Sequence, residues 1–116
     1  MRPRCHPFWC LLLLLAAAGC YGSDRASMEP VLRNNLKTLR DLLAQYREDQ
    51  RHPPPTLEAL VEKGYIRLVP YDPITRRNDT WIEIREPGEA GGRPGIVEVH
   101  SGATGRARDG TRYADW

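Results

Sequence analysis

Three thiols, three imidazoles and a scatter of carboxylates are the side chains in this sequence that could do chemistry, and their placement decides what kind. Cys5, Cys10 and Cys20 all fall within the first twenty residues. The start is basic and free of acids, with Arg2 and Arg4. An uncharged run from Phe8 to Ala18 follows, then Gly19 and Cys20. A basic start, a short apolar run and small residues before a cleavage point are the pattern of a secretory signal. The apolar run is about eleven residues, and at about 1.5 Å per residue it falls short of a bilayer core of about 30 Å. The reading is therefore export rather than a permanent membrane span. His52 and His100 are too isolated from one another to suggest a metal pair. No Ser/His/Asp grouping, inward-facing carboxylate pair or phosphate-binding loop is recognisable, so the sequence reads as that of a non-enzyme with no small-molecule substrate.

Ala17-Ala18-Gly19-Cys20 resembles the lipobox of bacterial lipoproteins. The resemblance implies cleavage before Cys20 and a lipid on its thiol, tethering the protein to a membrane. Leu is the usual residue where Ala17 stands. Tyr21 follows, where an Asp would favour retention at the inner membrane in Gram-negative bacteria. The implied location is thus the cell envelope, at the outer membrane facing the periplasm. The other reading is an ordinary signal peptide with an incidental cysteine.

Removal of nineteen of the 116 residues leaves 97, enough for one small domain. Beyond Cys20 no cysteine remains to pair, so this domain depends on its core, a ligand or a partner. Loss of Arg2 and Arg4 from the 17 basic residues leaves 15, which matches the 15 acidic ones. This balance, with no basic stripe interleaved with aromatics, argues against nucleic acid as a partner.

The elements that carry the remaining groups follow from periodicity. The expected division is a signal over 1–19, a tether over 20–27 and a globular domain over 28–116. Ser27 can cap a helix, with Glu29 near its positive end and Pro30 in its first turn. Leu32, Leu36, Leu39, Leu43 and Tyr46 recur in steps of four, three, four and three and form one helical stripe. That stripe suits burial against the protein's own sheet, and it equally suits contact with a partner helix. His52 and Pro53-Pro54-Pro55 end the helix. Thr56 can cap a second, short helix through Lys63, with Leu57, Leu60 and Val61 on one face and Gly64 at its end. Tyr65 to Val69 reads as extended, and Pro70-Tyr71-Asp72-Pro73 as a turn. Trp81–Arg85 and Ile96–His100 alternate as strands, Ile82 and Ile84 sharing a face of the first and Val97 and Val99 a face of the second, as in a sheet with one buried side. Residues 86–95 are the connecting loop. The tail from Ser101 to Trp116 reads as an ordered loop whose aromatics dock on the core. The fold class is α+β.

This order of elements is the layout of pilin-like domains, and the local sequence is similar to the major pseudopilins of type II secretion. His52-Pro53-Pro54-Pro55-Thr56-Leu57-Glu58-Ala59-Leu60-Val61 resembles the stretch after that family's long helix. Gly64-Tyr65-Ile66 with Val69-Pro70-Tyr71-Asp72-Pro73 resembles its step into an Asp-Pro turn. Ser101-Gly102-Ala103-Thr104-Gly105 and Ala114-Asp115-Trp116 resemble its C-terminal loop. The likeness runs from about Leu32 to Trp116. It implies a long helix packed on a small antiparallel sheet, secretion-system proteins as partners, and a calcium site in the C-terminal loop at Ser101, Asp109 and Asp115. Thr104 stands where the family usually has an aspartate, and Asp109-Gly110 alone is a common turn signature. The N-terminus departs from the family. The family begins with a short basic leader and an apolar half-helix bearing a glutamate; that half anchors the subunit and packs the filament, and here the lipobox with Cys20 stands in its place. The implied function is that of a lipid-anchored accessory or structural component related to type II secretion. A free periplasmic protein-binding module without a secretion role is the alternative.

Overall fold

A computed structural model describes residues 8–87 and 94–116, with side chains from Arg25 onward. Arg2 and Arg4, the side chain of Cys20 and the middle of the 86–95 loop lie outside the described residues. Helix α1 spans Phe8–Gln50 and α2 spans Glu58–Glu62. Strands β1 (Ile82–Glu86) and β2 (Gly95–His100) pair antiparallel in a two-stranded sheet. A short 3₁₀ turn at Tyr113–Asp115 closes the chain. The fold is thus α+β, with a long helix packed on a small antiparallel sheet, and α1 packs chiefly on β2. Among the described residues no helix is long and apolar enough to cross a membrane.

The leucine stripe forms the centre of the core. Leu32, Leu36, Leu39, Leu43 and Tyr46 are all buried, together with Leu57, Leu60, Val69, Trp81, Ile96, Val99 and Tyr113. Of the two uses open to the stripe, the structure takes burial within the chain. These five residues are therefore not a surface for a partner helix, because their side chains already face β2, α2 and the C-terminal loop.

Three local expectations hold at the junctions. Thr56 Oγ1 accepts the Ala59 N–H at 3.2 Å and so satisfies a first-turn donor of α2. Gly64 adopts φ +79°, and the Gly64 and Tyr65 amides bond back to Val61 and Leu60 carbonyls, which closes α2. Tyr113 is buried and Trp116 packs against the core.

Other expectations are corrected. Helix α1 runs unbroken through residues 20–27, so Ser27 lies inside a helix instead of capping one. Pro30 is internal as well, and its missing N–H leaves the Ala26 carbonyl without its helical donor. Tyr65 to Val69 forms no strand. The strand faces also differ. Ile96 and Val99 are buried, and their cross-strand partners are Arg85 and Glu83. Opposed residues share a face, so β1 turns Glu83 and Arg85 toward the core side and Ile82 and Ile84 toward solvent. The cause is the reach of α1, which covers β2 and leaves β1 as an overhang. Polar contacts suffice there: Arg85 donates to Glu83 (2.7 Å) and to the Pro55 carbonyl (2.7 Å), and Arg47 pairs with Glu86.

Candidate functional site

The C-terminal loop is held against α1 at several points. Glu29 accepts from the Tyr113 hydroxyl (2.9 Å) and from the Arg108 N–H (2.9 Å). Burial, and then the hydrogen bond to Glu29, raise the Tyr113 phenol above its ordinary pKa. Trp116 lies edge-on to Tyr113, and the Arg33 guanidinium sits 3.7 Å from its ring centroid, a cation–π contact. The Trp116 backbone oxygen is 2.5 Å from His100 Nδ1, and its indole N–H donates to Thr111 Oγ1.

Between this loop and α1 lies a cleft of about 570 Å³. Arg33, Leu36, Lys37, Arg40 and Asp41 form its helical wall; Asp109, Thr111, Asp115 and Trp116 form the other. The three basic residues repeat the steps of Leu32, Leu36 and Leu39 one position later. That offset rhythm is the sequence signal for this wall, and a reading of the leucines alone misses it. Each charge has a partner. Arg33 faces Asp109 at 3.5 Å, Lys37 faces Asp41 at 2.7 Å, Arg40 binds Glu98 at 2.5 Å and Arg112 binds Asp115 at 3.1 Å.

The residues proposed for calcium do not form one site. Asp109 and Asp115 share the cleft, but Ser101 is buried elsewhere and its Oγ donates to Asp72 at 2.5 Å. Asp109 is occupied by the Thr111 hydroxyl and N–H, and Asp115 by Arg112. Among the described residues no group of three or more His, Cys, Asp or Glu side chains converges. Calcium requires about six to eight oxygens, several of them carboxylates. Asp109 and Asp115 beside Arg33, Lys37 and Arg40, with the third carboxylate of the cleft, Asp41, taken by Lys37, are a poor fit, since those cations repel the ion.

These ion pairs predict an acid-sensitive fold. The Asp109 carboxyl is held below the usual carboxylate range by the Thr111 hydroxyl, by the Thr111 N–H and by Arg33. Arg112 does the same for Asp115. For Glu98, burial pushes upward, but the hydrogen bonds from Arg40 and the Val99 N–H outweigh it and the net shift is downward. Depressed folded-state values mean that the unfolded chain binds protons first. The stabilisation is complete above the unfolded carboxylate pKa of about 4 and is lost as pH falls through the lower folded values. Urea midpoints should therefore decline below about pH 4; a midpoint flat or rising toward acid would contradict these pairings.

A second polar centre has no signature in the sequence beyond a turn. Asp72 makes that turn: Oδ1 accepts the Ile74 and Thr75 N–H groups at 2.8 and 3.2 Å. Its Oδ2 also takes the Ser101 hydroxyl, and Ser101 Oγ accepts the Ala103 N–H at 3.1 Å. The carboxylate is 0% exposed and ties the turn to the segment after β2. Among the described residues no buried side-chain polar atom lacks a partner. The cleft thus offers fixed, mutually paired charges beside an aromatic ring, an arrangement suited to contact with a polar surface. Compared with protein-family models, with curated proteins and with solved structures, the chain matches none.

Proposed function

We propose that the chain is a non-enzymatic, lipid-anchored pseudopilin-like protein, an accessory or structural component related to type II secretion. The observation that carries this reading is one of order: a signal-like start ending at Cys20, then a long helix packed on a small antiparallel sheet and an ordered C-terminal loop. Cys20 takes the place of the apolar half-helix by which a pseudopilin is anchored. The lipid holds the domain at the periplasmic face of the outer membrane, and the domain meets secretion-system proteins through its sheet or its C-terminal loop. The second reading, a free periplasmic protein-binding module of pilin-like fold, draws support from the buried stripe. A helix whose apolar face is used up internally has little to offer a filament neighbour.

Affinity purification of the full chain from its own cells, followed by mass spectrometry, separates the two. The first reading expects secretion-system proteins to co-purify reproducibly. Their absence across replicates favours the free module.

A further inference from the structure

Two features of strand β1 suit it to association with another strand. Its apolar residues point outward, with Ile82 at 48% and Ile84 at 42% exposure. It is also an edge. It pairs with β2 on one side only, and among the described residues no backbone hydrogen bond from Ile82–Glu86 runs to any other segment. Edge strands are blunted by proline, by a bulge or by charged side chains; in β1 the charges that share a face are one of each sign, Glu83 and Arg85, so they discriminate between partners instead of repelling all of them. Here Ile82–Glu86 contains no proline. The irregularity in the ladder places Ile84 opposite Glu98 and Arg85 opposite Ile96, so the extra residue, Val97, belongs to β2. The outer edge of β1 stays regular.

We propose that β1 is a self-recognition edge, on which a second copy of this chain adds its own β1 antiparallel about a twofold axis at Ile84. The sequence of the strand selects both the occupant and the register. With Ile84 opposite its own copy, Glu83 of each chain lies opposite Arg85 of the other. The pair already formed within each strand, Arg85 to Glu83 at 2.7 Å, then joins a quartet of alternating charge. Centring the axis on Glu83 instead would oppose two like charges. A shift of one residue would place the isoleucines on opposite faces. In the favoured register the Ile82 and Ile84 side chains of both copies form one continuous apolar strip on the outer face of a four-stranded sheet. An isologous contact of this kind closes at two copies.

Charge reversal tests the proposal on the full chain purified in neutral detergent, read by sedimentation equilibrium. The unsubstituted chain should dimerise reversibly. Glu83→Arg and Arg85→Glu should each raise the dimer Kd about tenfold, because two cross-strand attractions become repulsions. The double exchange, Glu83→Arg with Arg85→Glu, should restore dimerisation, which a loss of folding could not do. Cysteine cross-linking fixes the register. Ile84→Cys should form a disulfide dimer under mild oxidation beyond that of the unsubstituted chain. Glu83→Cys and Arg85→Cys should cross-link when mixed and much less when each is alone. A monomer at all concentrations overturns the proposal. So do a double exchange as weak as either single change, and an Ile84→Cys chain that cross-links only to a different protein.

Discussion

Asp72→Ala should destabilise the fold by about 3–5 kcal/mol. The substitution removes both oxygens that hold the Ile74 and Thr75 N–H groups and the Ser101 hydroxyl. Leaving a buried donor unsatisfied costs about 1–3 kcal/mol, more where the lost acceptor is charged. Three donors are affected here, and the site is fully buried. Against a typical total stability of about 5–15 kcal/mol, that loss brings a domain of this size close to unfolding. Thermal and urea unfolding would both read it, with Tm lower by about 4–8 °C for each kcal/mol. Asp72→Asn keeps an oxygen for the two amides and should cost about 1–2 kcal/mol. Equal losses for Ala and Asn would mean that the geometry around Asp72 is not what holds the turn to Ser101.

Gly102→Ala should cost about 3 kcal/mol or more, at the upper end of overpacking penalties. The reason is steric. A Cβ at this position would stand 1.8 Å from the Thr80 carbonyl oxygen, a backbone atom that cannot rotate away. Either the segment after β2 or the turn before β1 would have to move, and both are tied down, the first by Ser101 and the second by the Thr75–Thr80 hydroxyl contact at 2.7 Å. Gly110 supplies the contrast. It has φ +86° and nothing within 4 Å of its virtual Cβ, so Gly110→Ala meets only the left-handed backbone penalty of about 1–2 kcal/mol. Urea unfolding of the two variants side by side tests the distinction; a Gly110→Ala chain as unstable as Gly102→Ala would contradict it.

Asp72 and Gly102 lie where the Asp-Pro turn meets the segment after β2, and they mark where the sequence could be read and where it could not. The leucine stripe was legible because a helix imposes a period, and the core follows it. Strand positions were legible from alternation to within a residue. Alternation defines two faces but not which one is covered. In β1 that depended on the reach of α1 across the sheet, and the isoleucines came out on the open side. The link from Asp72 to Ser101 spans 29 residues of sequence and has no local signature. The same limit applies to the cleft. Arg33, Lys37 and Arg40 have a readable rhythm, whereas the pairing of Arg40 with Glu98 depends on how β2 packs on the helix and that of Arg33 with Asp109 on how the tail folds back. Ser101, Asp109 and Asp115 are grouped only by the resemblance of this loop to that of the pseudopilins. The fold separates them by burying the serine.

The acid sensitivity, the two substitutions and the β1 edge concern the domain. The proposed role depends as much on how the domain is held, and that rests on Cys20. Metabolic labelling of the full chain with [³H]palmitate in its own cells, beside a Cys20→Ala variant, tests it most directly. Tethering through Cys20 predicts a labelled, membrane-associated chain and a variant without label. A chain that takes up no label, or a Cys20→Ala variant that keeps it, would contradict the account.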